Sequence, residues 1–69
     1  MKVNNEEEAR RLIAELLVSP VALQTRNLRL AVENLELDQM YYEQKGNDQG
    51  AQRCQVCLDL LQSRLAELH

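Results

Sequence analysis

Apolar residues in this chain recur at steps of three and four, the spacing that lines one side of an α-helix. Ala9, Leu12, Ile13, Leu16 and Leu17 form the first such stripe, with Arg10, Arg11 and Glu15 off it. No stretch alternates apolar with polar residues over the length of a strand, so no sheet is predicted. The first helix is expected over about 5–18. Asn4 or Asn5 would cap it, and Glu6, Glu7 and Glu8 sit at the positive end of its dipole. It should stop before Pro20, because the residue preceding a proline is biased out of the α region. Ser19 suits the N-cap of a second helix and Pro20 its first position. That helix should run over about 20–44. A restart near Leu28 is an option, because Thr25 and Asn27 can both cap; continuity of the first two helices near Pro20 also stays open.

Lys45-Gly46-Asn47-Asp48-Gln49-Gly50 is the clear loop, with two glycines flanking an Asn-Asp pair. Gly46 suits the left-handed position after a helix, and Asp48 can cap a third helix over about 49–68. A short loop between long helices makes antiparallel neighbours. The expected fold is therefore all-α: an antiparallel helical hairpin with a shorter N-terminal helix, in one domain over residues 1–69. No internal repeat or low-complexity segment divides it.

The second helix carries apolar residues on two sides. At about 100° per residue, Val21, Leu28, Ala31, Val32, Leu35 and Tyr42 share one broad arc. Leu23, Leu30, Leu37 and Tyr41 occupy a narrow arc almost opposite. The third helix has one broad stripe, Ala51, Cys54, Cys57, Leu58, Leu61, Leu65 and Leu68, which should mate with the broader arc. Val56 and Leu60 form a smaller patch pointing away from that seam. Either the first helix folds over the Leu23–Tyr41 row, or the row stays open for a partner. Each exposed Leu would forgo about 1.5–3 kcal/mol of burial, so an open row implies a binding surface.

Composition narrows the function classes. With 69 residues there is room for one small domain, whose stability alone is expected to be marginal. Leu, Ala, Glu, Gln and Arg dominate, all good helix formers, and Tyr41 and Tyr42 are the only aromatic residues. The net charge is −3, with acids and bases interleaved, which gives no pull toward phosphate backbones or anionic membranes. Arg26, Arg29, Arg53 and Arg64 alternate with Glu33, Glu36, Asp38 and Asp59 rather than forming a basic stripe, so no nucleic-acid partner is expected. No apolar run approaches the ~20 residues of a membrane span, and no membrane insertion is expected. The start, Met1-Lys2-Val3-Asn4-Asn5-Glu6, lacks a signal core, which predicts a cytoplasmic location with reduced thiols.

Candidate chemistry is sparse. Cys54-Gln55-Val56-Cys57 has the spacing of a redox or metal motif, yet no strand precedes it and both cysteines fall on the apolar stripe. Small core residues is the first reading, with an intersubunit metal bridge or disulfide as the alternative. Structural zinc needs four ligands, and only His69 could add a third. The carboxylate pairs Glu33 with Glu36 and Glu36 with Asp38 have little depth to hide in. No Ser–His–Asp set exists, and Gly46 and Gly50 lack the Lys and Ser/Thr of a phosphate loop. No enzymatic activity, cofactor or metal is expected.

Between Leu30 and Leu68, Leu37-Asp38-Gln39-Met40 leads into the loop at Gly46-Asn47-Asp48, then Gln49, Gln52 and Gln55, then the leucines Leu58, Leu61 and Leu65. In this stretch the chain resembles the small co-chaperones of type III secretion needle subunits. The resemblance implies a hairpin that pairs with a helical-repeat chaperone, the two together holding a needle subunit before export. The needle subunits are also hairpins, but their turn characteristically contains proline and this one does not. The expected function is a non-enzymatic protein-interaction module of this co-chaperone kind. The alternative is a homodimeric structural or regulatory protein. In both, Leu23, Leu30, Leu37, Tyr41, Val56 and Leu60 would bind the partner, whether a helical chaperone, a secreted subunit or a second copy.

Overall fold

The structure, a computed structural model, describes residues 2–69. Three helices follow in order: α1 (Glu6–Leu16), α2 (Val21–Gln44) and α3 (Asp48–Glu67). The protein is all-α among these residues, with α2 and α3 forming the hairpin and the shorter α1 at the N-terminal end.

Each helix end has a local cause. Asn5 caps α1: its side-chain oxygen accepts from the Glu8 amide at 2.9 Å, and the Glu8 carboxylate accepts from the Asn4 amide at 2.8 Å. Ahead of that cap, Val3 turns inward and is buried in the core, a contact that helical periodicity does not reach. α1 ends at Leu16, two residues earlier than expected, and Leu17 and Val18 lie exposed in the connection. Leu17 keeps helical backbone angles at the C-cap but lies about 100° round the helix from Leu16, off the buried face of Ala9, Leu12 and Leu16.

Pro20, not Ser19, holds the N-cap position of α2. Its carbonyl accepts from the amides of Leu23 and Gln24, both at 3.0 Å. Ser19 contributes through its backbone alone, its amide donating to the Leu16 carbonyl at 2.9 Å and its carbonyl accepting from the Gln24 side chain at 2.8 Å. α2 then runs unbroken through Thr25–Asn27.

A left-handed turn closes it. Gly46 has φ 71°, its amide donates to the Glu43 carbonyl, and the Asn47 amide donates to that of Tyr42. This is the paired closure of a helix C-terminus that favours glycine. Asn47, rather than Asp48, caps α3, accepting from the Gly50 amide at 2.9 Å. Asp48 becomes the first helical residue, where its charge still meets the positive dipole end.

The core is one cluster: Ala9, Leu12 and Leu16 from α1, Leu28, Ala31 and Leu35 from α2, and Cys54, Cys57, Leu58 and Leu61 from α3, with Val3. Val32, Tyr42, Leu65 and Leu68 pack at its margin. Val21, expected on the seam, is exposed, because the inward position of that first turn belongs to Gln24. Gln24 is buried yet satisfied, donating to Ser19 and accepting from Arg64 at 3.1 Å. Its amide ties the α1–α2 connection to the far end of α3.

α1 lies mainly on α3 and touches α2 far less. The stripe of α3 is broad enough to serve both neighbours. One side of α2 is consequently left with nothing over it.

Candidate interaction face

The uncovered side of α2 holds the row read from the sequence. Leu23, Leu30, Leu37 and Tyr41 are 45%, 49%, 64% and 57% exposed, and Met40 beside them is 55% exposed. α1 does not fold over this row; it packs against α3 instead. Leu23, Leu30 and Leu37 are seven residues apart and so nearly superpose along the helix, with Tyr41 one turn further on. The Tyr41 ring is braced at its end of the row, edge-on to Tyr42 at 5.9 Å and with the Lys45 ammonium 5.7 Å from its centroid.

The flanks of the row are polar. Arg26 and Glu33 lie on one side, and Asn27 and Asn34 on the other, placed by the same helical geometry. None of these four makes a side-chain hydrogen bond or ion pair among the described residues. By contrast, Arg10 and Arg11 pair with Glu6 and Glu7 along α1, at 3.1 and 3.0 Å. On the opposite edge of the hairpin, Gln39 donates to Gln55 at 2.9 Å and Gln55 to Asp59 at 2.9 Å. That edge is consumed by the fold's own hydrogen bonds.

The second predicted patch divides. Val56 is exposed and borders an open groove with Gln49, Gln52 and Arg53. Leu60 is half-buried and packs against the core. Arg53 also stands 5.9 Å over the Tyr42 ring, which commits part of this surface to holding the hairpin together. Val56 and Leu60 therefore do not form a second apolar row comparable to that of α2.

The CxxC is interior. Cys54 and Cys57 are free and both buried, Cys57 completely. An intersubunit bridge through them is overturned, because consecutive helical turns direct both side chains inward, to the core rather than to a second copy. Among the described residues, no three His, Cys, Asp or Glu side chains converge as metal ligands. Burial pushes both thiols above their ordinary range. The Asp38 carboxylate adds to this for Cys54, and the neighbouring Cys54, Glu6 and Glu8 add to it for Cys57. Arg53 pulls the other way at both.

The sign of the stability effect follows. A thiol whose pKa is raised by folding stabilises the fold fully below its unfolded value of about 8.5 and loses that contribution as pH climbs through the raised native value. We expect the urea midpoint to fall as pH rises from about 8.5 to the raised native value, and Cys54→Ala/Cys57→Ala to show a smaller fall. Equal slopes in the two proteins would assign the titration elsewhere. At neutral pH a thiol reagent should label the native protein only at the rate of unfolding.

The body measures 39 × 19 × 18 Å, too narrow for a deep cleft between three helices. No helix among the described residues is long and apolar enough to cross a membrane. No family model matches the chain, and no curated protein or solved structure matches it.

Proposed function

We propose that this chain is a non-enzymatic protein-interaction module of the co-chaperone kind, whose α2 outer face receives an amphipathic helix of another protein. The observation that carries the proposal is the half-exposed row Leu23–Leu30–Leu37–Tyr41, standing outside a core already complete without it. An apolar stripe of helical pitch is the complement of an apolar stripe on a partner helix, the helix-in-groove mode of recognition. Mixed charges on the flanks, rather than a basic field, favour a protein partner over a nucleic acid.

The resemblance of Leu30–Leu68 to the needle-subunit co-chaperones supplies the partner class. It is a helical-repeat chaperone, and the pair shields a needle subunit from polymerising in the cytoplasm before export. The apolar row is the part of this chain that would be lost to solvent without such a companion.

The test is co-expression with the helical-repeat chaperone and needle subunit of the same genome's secretion apparatus. The expected result is a stable complex that survives size-exclusion chromatography and is lost with Leu30→Glu. A wild-type chain that elutes alone, unchanged by co-expression, would count against the proposal.

A further inference from the structure

The uncovered row on α2 reads alike from both ends. Leu23 and Leu37 are equidistant from Leu30 in sequence. Arg26 stands four residues before Leu30 and Glu33 three after it, on one flank. Asn27 stands three before and Asn34 four after, on the other. Met40 and Ala22 extend the first flank at its two ends.

In a two-fold, face-to-face antiparallel pairing, each flank meets the same flank of its mate, and residue i meets j as j meets i. Placing the axis at Leu30 sets Leu23 level with the partner's Leu37. With a rise of about 1.5 Å per residue, Arg26 and the partner's Glu33 then fall within about 1.5 Å of the same level. The same holds for Asn27 and the partner's Asn34, while Met40 falls beside the partner's Ala22. A parallel two-fold pairing in register would instead set each flank against the opposite one, Arg26 beside the partner's Asn27 and Glu33 beside the partner's Asn34, and would leave both charges unpaired.

Two further observations favour a second copy as the occupant. Arg26 and Glu33 are exposed and have no ion-pair partner among the described residues, although three other arginines do. α1 lies against α3, away from this side, so nothing on the same chain occupies it.

We infer that the chain, in the absence of its heterologous partner, forms an antiparallel two-fold dimer through the outer face of α2, with Leu30 on the axis and reciprocal Arg26–Glu33 pairs. This rests on the reading of that face as an interaction surface and names what covers it when the chain is alone. Binding of the partner helix and self-association then compete for the same leucines.

Sedimentation equilibrium of the full chain over micromolar to millimolar concentrations tests this, with circular dichroism confirming that each variant is folded. The wild type should pass from monomer to dimer. Arg26→Glu and Glu33→Arg should each weaken the dimer about tenfold, because each change turns two attractive pairs repulsive. The combined swap Arg26→Glu/Glu33→Arg should restore the wild-type constant to within about threefold, by the same arithmetic. A dimer indifferent to the swaps would overturn the antiparallel register. A chain monomeric throughout that still binds its chaperone would overturn the dimer alone, and a monomer that binds nothing would overturn the interaction surface as well.

Discussion

Leu61→Ala is expected to leave the protein folded but only marginally stable. Leu61 is fully buried where α3 meets the rest of the core, among the few large side chains with no solvent contact at all. Leucine-to-alanine changes in such sites cost about 2–5 kcal/mol, from lost transfer energy and from the cavity left behind. At roughly 0.05–0.15 kcal/mol per residue, a domain of this size has about 3–10 kcal/mol in total. The change therefore removes a large share of the stability, and three helices offer little mass to collapse into the void. Urea denaturation should show a midpoint shifted far down with the slope preserved. The same change at exposed Leu37 should leave the monomer within about 0.5 kcal/mol of wild type. A small loss at Leu61 would mean that the packing of α1 against α3 is looser than described.

Gly50→Ala should produce the next largest loss, about 1–3 kcal/mol, by overpacking rather than by a cavity. Gly50 has no unusual backbone angle to protect. It is needed because the Tyr42 ring lies flat over it: a Cβ there would sit 2.6–2.9 Å from three ring carbons. Neighbours crowd the ring's retreat: the Arg53 guanidinium is 5.9 Å from its centroid and Tyr41 stands edge-on to it. The clash predicts its own rescue. Combining Gly50→Ala with Tyr42→Ala should cost less than the sum of the two single changes, and the difference is the coupling between the sites. Strict additivity would show that Gly50 acts by conformational freedom and not by contact. Gly46 is the reverse case, with open space around it and a left-handed backbone.

Much of this architecture was legible in residue order, and the parts that were not have identifiable reasons. The Asn5 cap, the left-handed Gly46 and the antiparallel hairpin follow from local chemistry acting over three to five residues. The inward direction of Cys54 and Cys57 follows from their place on the α3 stripe. Errors of one or two positions arose where neighbouring residues offer the same chemistry. Asn47 and Asp48 can both cap, and Asn47 won because the left-handed Gly46 places it at the helix entrance. Ser19 lost the cap to Pro20, whose extended backbone makes the turn without a side-chain bond.

Gln24 and Val3 were missed for another reason. A buried glutamine carries no periodic signal, and it is tolerated here because Ser19 and Arg64 satisfy its amide across the fold. Val3 lies outside any helix. The direction α1 takes after its turn is also invisible to periodicity. A stripe states which residues want cover and is silent on which neighbour provides it, so the two readings of the Leu23–Tyr41 row could be separated only by tertiary structure.

Whether that row is spare to the fold is most directly answered by a urea melt of Leu30→Glu at a concentration low enough to keep every chain monomeric. A carboxylate on a face open to water should leave the midpoint of the isolated monomer within about 0.5 kcal/mol of wild type under the same conditions. A loss of about 2 kcal/mol or more, the scale of a buried side chain removed from its packing, would place Leu30 in the core and remove the reason for a companion protein.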